Sequence, residues 1–421
     1  MKILEEERLF DWTLNICLDF TACKLQSSPI NYYRLGLNAA ANVYILISLI
    51  IDLYGRVRDI GEFLEHTMYL IITLFPYIYL FLNKTVVNSL IATADGNLYR
   101  YDDDDNNADP MLEQRQYLEI WSTGRTAIRR KACWVFYLTV FTIMFVGLYP
   151  LITLFVYHHS NYRTLLDYRE FTVFPIWNPF EVDTFAIYLS VCLFQIGPFF
   201  INTVCIASVF CLYFYIDGII AIETKCLKRA MKSISAEQQS SLLLASSLLR
   251  KNKAIAVNGK DEKTYERLIL SCFRHHRQIV KLVKSTTTSF KWPFFCSSLV
   301  AVCITIIHVY LLILTADRNS LKTTCHYANA LLCVGLYFFA CNIGQRFTEI
   351  NRTFRDSVYR TNWYERSIQI RRENILTILC VTNWDLRLSI TPKLFVCNIM
   401  FNLAMKWIYT VINFLIKVKY K

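Results

Sequence analysis

Charged residues are scarce in this chain. Only 19% of the 421 residues are Asp, Glu, Lys or Arg, while 54% are hydrophobic and 15% are aromatic. A soluble domain of this size carries about a quarter charged residues. The low charge and the long uncharged runs exclude an ordinary soluble protein and predict several membrane crossings. No cleavable signal peptide is evident, because residues 1–34 are mixed and charged rather than a basic tip followed by an apolar core.

Motifs for catalysis and metal binding are also missing. The 15 cysteines lie mostly within apolar runs and include no Cys-x-x-Cys pair, so they indicate no disulfide framework. The adjacent pairs His158-His159 and His275-His276 have diverging side chains, which disfavours zinc chelation. No glycine-rich phosphate loop or nucleophile elbow is present. We therefore expect no enzyme activity, no cofactor and no metal site.

Seven uncharged apolar runs have about the length that a bilayer-crossing helix requires. They lie at 35–51, 67–82, 132–157, 184–216, 292–316, 323–345 and 394–416, with only Lys406 interrupting the last. The sequence therefore predicts an all-α polytopic membrane protein with seven transmembrane helices.

Lys and Arg residues are sorted between alternate connections. The first 34 residues and the connections 83–131, 217–291 and 346–393 hold 35 of them, and the other connections with the C-terminal tail hold 9. The positive-inside rule then places the N-terminus in the cytoplasm and the C-terminus outside. This sorting explains the net charge of +12 without nucleic acid. A G-protein-coupled receptor has the opposite orientation, and its DRY-like and NPxxY signatures are absent.

The stretch 341–395 carries a specific series of motifs. A Gly-Gln turn leaves span six, a Tyr-x-x-x-Trp-Tyr element follows, and a basic amphipathic helix and a polar break precede the last span, which adds a Lys-x-x-Tyr-Thr element. These motifs are Gly344-Gln345, Tyr359 to Trp363-Tyr364, Arg371-Arg372, Asp385-Leu386-Arg387-Leu388, and Lys406, Tyr409 and Thr410. The series resembles the C-terminal signature of the insect odorant-receptor family.

That resemblance implies a ligand-gated, non-selective cation channel in the plasma membrane of olfactory sensory neurons. The family's channel is a tetramer that combines an odorant-tuning subunit with a shared co-receptor. The chain lacks the co-receptor's long insertion and its characteristic tail, so it resembles a tuning subunit. A gustatory-type homomeric channel is the nearest alternative, since Ile408-Tyr409 and Asn413-Phe414 loosely match that group's ending. A secondary transporter is disfavoured because no internal repeats or matching broken helices are found.

The resemblance also divides the chain into functional segments. They are a cytoplasmic segment 1–34, spans one to four at 35–216 with the ligand-binding region and the cytoplasmic loop 83–131, a basic cytoplasmic helical segment 217–291, spans five and six at 292–345, cytoplasmic anchor helices 346–393, and the pore-lining helix 394–421. Within the third segment, the Ser- and Lys-rich stretch 233–263 predicts a flexible loop.

In the family the ligand lies in the outer half of the subunit, among spans two, three, four and six. A volatile, apolar ligand would meet mostly hydrophobic and aromatic side chains there. The candidates at those positions are Tyr69, Ile72, Met144, Gly147, Leu151, Tyr188, Cys192, Tyr327 and Leu331. For each of them, ordinary helix packing is the alternative.

Residues 364–382 alternate apolar and basic positions at helical spacing, which predicts an amphipathic helix. Such a helix either lies on anionic lipid or, as the resemblance implies, joins an anchor domain where four subunits meet. The interface candidates are Tyr359, Trp363, Tyr364, Ile368, Ile375 and Leu379.

The last apolar run carries a stripe of polar residues. At about 100° per residue, Asn398, Asn402, Lys406, Tyr409, Thr410 and Asn413 share about a third of the helix circumference. Polar groups at membrane depth face protein or water, so the stripe indicates either helix packing or a pore wall. The resemblance places a hydrophobic gate at Ile412 and Ile416, beside Lys406, Tyr409 and Asn413 in the pore.

Overall fold

A computed structural model describes residues 39–48, 82–95, 110–159, 184–249, 258–315, 320–361, 363–365, 374–382, 389–391 and 394–419, with isolated positions between them. The helices are α1 (Ala39–Ser48), α2 (Lys84–Asp95), α3 (Pro110–His159), α4 (Phe185–Leu249), α5 (Asn258–Thr315), α6 (Ser320–Tyr359), α7 (Leu376–Val381) and α8 (Asn398–Lys419). A 3₁₀ turn covers Trp363–Glu365, and strands β1 (Ser389–Thr391) and β2 (Leu394–Phe395) precede α8.

Several helices are much longer than a bilayer is thick. Helix α4 has 65 residues, which at 1.5 Å per residue is about 98 Å, against a hydrocarbon core of about 30 Å. Among the described residues, four stretches are long and apolar enough to cross a membrane: Phe185–Ile234, Tyr265–Ile313, His326–Tyr359 and Asn398–Val418. The predicted all-helical membrane architecture is confirmed. Helices α1 and α3 coincide with the first and third predicted spans, and most of 67–82 lies outside the described residues.

The predicted flexible loop at 233–263 is wrong over most of its length. Helix α4 continues to Leu249 and helix α5 begins at Asn258. The reason lies in composition, because residues 234–249 contain no Gly or Pro, and ten of the 16 are Leu, Ala, Gln or Glu, which favour helix. The stretches of α4, α5 and α6 beyond the predicted spans (217–249, 258–291 and 346–359) are called the helical extensions below.

Helices α3 and α4 pack closely in the region of the helical extensions. Gly218 on α4 faces Ile128, and Gly124 on α3 faces Ile222, whose Cδ1 would lie 2.8 Å from an added Cβ. A side chain larger than hydrogen at either glycine would displace the facing isoleucine. Ile219 and Ile216 are fully buried beside this contact, so α4 forms the centre of the core.

A small β-hairpin leads into the last helix. Strands β1 and β2 are antiparallel, with Ser389 opposite Phe395 and Thr391 opposite Leu394. The last helix therefore begins at Asn398, four residues after the predicted start at 394, because the main chain of 394–395 is engaged in strand pairing.

The structure describes two short helical segments within the predicted amphipathic helix 364–382. The described residues form the 3₁₀ turn Trp363–Glu365 and helix α7, and residues 366–373 lie outside them. Helix α7 buries Ile378 and Leu379, so its apolar side packs inward as the pattern predicted.

Candidate pore helix and ligand site

Among the described residues, helix α8 packs against the rest of the chain through one face. Ile408 is buried, and the ring of Phe401 lies 5.7 Å from that of Tyr337 and 5.2 Å from that of Phe338, both on α6. On the other side of the helix, Trp407 and Tyr409 are each 69% exposed. A single subunit thus leaves most of this apolar helix uncovered.

The polar stripe lies largely on the uncovered face. Asn402, Lys406, Tyr409 and Thr410 are exposed, and the Thr410 hydroxyl donates to the Lys406 carbonyl oxygen at 2.9 Å. Lipid offers no partner for a lysine ammonium or an asparagine amide. This face therefore needs water or another protein chain against it.

The predicted gate residues and Asn413 lie nearer the C-terminal end of α8 than the exposed polar residues Asn402 and Lys406. Ile412, Asn413 and Ile416 are half-buried.

Four predicted ligand residues on α3 and α4 are at least partly buried. Met144 and Leu151 on α3 pack together with Ile45 of α1 and Phe199 of α4. Tyr188 and Cys192, one turn apart on α4, are buried.

Tyr327 and Leu331 on α6 behave differently, since they are 62% and 64% exposed and face away from their own subunit. Gly147 is helical within α3, and Tyr69 and Ile72 lie outside the described residues. The structure thus brings the α3 candidates together with α1 and α4, and it leaves the α6 candidates on the surface.

Sequence reasoning missed two polar pairs inside the apolar bundle. The Asn202 amide on α4 donates to Asn42 Oδ1 on α1 at 2.8 Å, with both residues buried. Nδ1 of His308 on α5 lies 3.1 Å from Nδ1 of His326 on α6. A lone Asn or His within an apolar run was the available signal, since such a group requires a partner at that depth.

A buried carboxylate links three helices in the helical extensions. Glu223 on α4 is fully buried and accepts hydrogen bonds from Tyr117 Oη at 3.1 Å and from Trp121 Nε1 at 3.0 Å, both on α3. His275 Nε2 on α5 lies 2.9 Å from the same carboxylate. Sequence reasoning treated His275 as half of a poor chelating pair and did not predict that it pairs with this carboxylate.

The predicted interface residues also differ in exposure. Tyr359 and Tyr364 are 54% and 56% exposed, and Trp363 lies between them with its ring 6.3 Å from that of Tyr359. Ile375 and Leu379 are buried within their own subunit. Ile368 lies outside the described residues. The aromatic residues are therefore the ones available to a neighbouring chain.

These features define a polytopic helical membrane protein whose last helix leaves a polar face uncovered. The family model described as 7tm Odorant receptor matches residues 61–383. The chain therefore belongs to the seven-transmembrane odorant receptor family.

Solved structures show the same fold. The insect olfactory receptor OR5 from Machilis hrabei in complex with eugenol is similar with a TM-score of 0.66 and 14% identity, over 98% of this chain and 100% of that one. The structure of the same receptor described without eugenol gives a TM-score of 0.67 and 12% identity over the same shares. A sequence search of curated proteins returns no match.

Proposed function

We propose that this chain is an odorant-tuning subunit of a ligand-gated, non-selective cation channel. It works in the plasma membrane of olfactory sensory neurons, in a tetramer with a co-receptor subunit. The observation that carries the proposal is the polar stripe on the uncovered face of α8. The orientation has the N-terminus in the cytoplasm and the C-terminus outside, as the sorting of Lys and Arg indicates.

The pore follows from the energetics of α8. Leu403, Trp407 and Phe414 make one side of the helix apolar and exposed, while Lys406 and Asn402 make the adjacent side polar and exposed. Lipid or a neighbouring helix satisfies the first side, but only water or protein satisfies the second. Copies of α8 placed around a central axis would give the polar side a water-filled path.

Gating requires the ligand to bind the open state more tightly than the closed state. Ile412 and Ile416 form the hydrophobic gate, which closes by dewetting, and rotation of α8 moves them between the pore and the subunit. Replacing either residue with Ala should increase basal leak or alter permeability. Unchanged currents from both variants would remove these residues from the gate.

The ligand is a volatile, mainly apolar molecule. The cluster of Met144 and Leu151 with Phe199 provides an apolar environment between α3 and α4, and the similar OR5 structure was determined with eugenol. Tyr188 is buried on α4 and adds a hydroxyl that can orient the ligand. Tyr69, Ile72 and Gly147 complete the proposed wall, while Tyr327 and Leu331 join it only if neighbouring elements move over them.

The helical extensions, with residues 346–393, form the cytoplasmic anchor domain of the assembly. Four subunits meet there through Tyr359 and Tyr364, whose rings are more than half exposed. Aromatic residues are enriched at such contacts. Ile375 and Leu379 support the interface from within, since they hold α7 in the core.

The experiment uses excised inside-out patches from cells that express this chain with the co-receptor, perfused without nucleotides. Odorant-evoked current under these conditions supports a channel, because no G-protein cascade operates without GTP. A response that disappears when GTP is removed would support metabotropic signalling instead. Patches with the co-receptor alone are the control, and current from this chain alone would favour the gustatory-type homomer.

Epitope tags at both ends test the orientation, and an exposed N-terminus on intact cells contradicts it.

A further inference from the structure

An apolar cavity lies among α4, α5 and α6, apart from the proposed odorant site. It has a volume of about 40 Å³, and its walls include Val209, Tyr213, Pro293, Ser298, Ala301 and Tyr337. On α4, Tyr213 is 14 residues beyond Phe199 of the cluster with Met144 and Leu151, which is about 21 Å along the helix. The cavity is therefore closer to the helical extensions than to that cluster.

One residue of the cavity wall has an unpaired polar atom. Tyr213 is 1% exposed, and its hydroxyl oxygen has no hydrogen-bond partner among the described residues. The ring itself is well packed, with its centroid 4.1 Å from that of Phe294 and 5.5 Å from that of Phe290. A buried hydroxyl without a partner is rare in folded proteins and is a sign of a missing ligand or water.

The walls favour a small organic molecule over water. Tyr213, Ser297, Ser298 and Tyr337 carry hydroxyl groups that could hold one water. The other lining side chains are mainly aliphatic and aromatic, so the rest of the volume favours carbon over water. At about 10–15 Å³ for each water-sized occupant, 40 Å³ has room for three or four heavy atoms. An alcohol of about three carbons fits both the volume and the chemistry.

The cavity is also in contact with the last helix. Tyr337 forms part of its wall and is buried, and its ring lies 5.7 Å from that of Phe401 on α8. An occupant therefore touches a side chain that packs directly on α8.

We propose that this cavity is a second ligand site, which binds a short aliphatic alcohol with its hydroxyl on Tyr213 and its carbon chain against Ala301 and Tyr337. The site is separate from the odorant site. Its occupancy changes the packing of Tyr337 on Phe401.

Binding is tested on the purified full chain in lipid nanodiscs, without any measurement of current. The probe is 2-fluoroethanol, which has four heavy atoms, followed by fluorine NMR line broadening, with unlabelled 1-propanol as competitor. We expect saturable broadening that 1-propanol removes. Since no current is measured, failure of the proposed channel function leaves this result unaffected, and the reverse also holds.

Two variants locate the site. Ala301→Leu fills the cavity and should abolish the saturable signal, while Ala328→Leu adds the same bulk at an exposed position of α6 and should retain it. Tyr213→Phe removes only the hydroxyl, and the loss of one hydrogen bond should weaken binding by about 2- to 12-fold. If Ala301→Leu does not fold, Tyr213→Phe still decides the question.

Four outcomes would overturn the proposal. Broadening that never saturates indicates partition into lipid. Equal affinity in the wild type and Tyr213→Phe removes the hydroxyl from the site. A signal that persists in folded Ala301→Leu places the alcohol elsewhere, and no displaceable signal in the wild type leaves the cavity to ordered water.

Discussion

Gly344 lies directly against the main chain of Val396. A Cβ at position 344 would overlap the carbonyl oxygen of Val396, which is buried two residues before α8 begins. Helix α6 therefore holds the entry of the last helix through a main-chain contact that only glycine permits. This contact gives a physical reason for the glycine that opens the family-like motif at 344–345.

Gly344→Ala should destabilise the protein, because neither α6 nor the chain before α8 can move freely to admit a methyl group. The expected cost is about 1–3 kcal/mol, typical of overpacking. Thermal unfolding of the purified protein in detergent measures it. Gly335→Ala is the matched control, since nothing lies within 4 Å of a Cβ there, and it should be neutral or slightly stabilising. Equal unfolding temperatures for the two variants would show that the contact with Val396 is unimportant.

Glu223→Ala should have a larger effect than a typical surface substitution. It leaves the Tyr117 hydroxyl, the Trp121 indole N–H and His275 buried without their carboxylate. Loss of a hydrogen-bond partner costs about 1–3 kcal/mol where it leaves a buried group unsatisfied.

The same unfolding measurement tests this prediction, with Glu119→Ala on the exposed side of α3 as its control. If Glu223→Ala lowers the free energy of unfolding by less than about 1 kcal/mol, the three donors find other partners.

His276 should make stability depend on acid pH. It lies in the helical extension of α5, 16 residues before the predicted span, and is stacked on Phe354 with 4.1 Å between ring centroids. Burial lowers its pKa to about 4 despite the hydrogen bond to Asn351 Oδ1. Since the unfolded histidine has a pKa near 6.5, the unfolded state binds more protons between these values, and stability falls as pH falls from 6.5 to 4.

The loss of stability is on the order of 1.4 kcal/mol for each unit by which the pKa of His276 differs between the folded and unfolded states. Denaturant unfolding at several pH values measures it, with His276→Gln as the comparison. Glutamine keeps a donor for Asn351 but does not titrate, so the difference between the two proteins should shrink at lower pH. A constant difference across this range would contradict the assignment to His276.

The sequence predicted the positions of the helices better than their lengths. Runs of apolar residues located α1, α3, α4, α5, α6 and α8, because the absence of charge over about 20 residues is a strong signal. The extension of α4 to Leu249 was not predicted. Polarity at 233–249 was interpreted as a loop, although a polar segment without Gly or Pro also continues a helix when its neighbours support it.

Partners of buried polar groups were beyond the reach of the sequence. Glu223 and Trp121 are about 100 residues apart, and no local pattern shows that α3 and α4 bring them together. The half-exposed Tyr359 and the buried Ile375 were similarly grouped as one interface. Periodicity identifies an apolar face but does not tell whether the same chain or another one covers it.

The most direct test of the proposed pore is the ionic selectivity of the channel with Lys406→Glu. Lys406 stands on the uncovered polar face of α8, so reversing its charge should increase calcium permeability relative to sodium several-fold. Reversal potentials of the odorant-evoked current in two external solutions give this ratio, and Lys284→Glu, an exposed lysine on α5, should leave it unchanged. An unaltered ratio in Lys406→Glu channels that still respond to odorant would contradict a pore lined by α8.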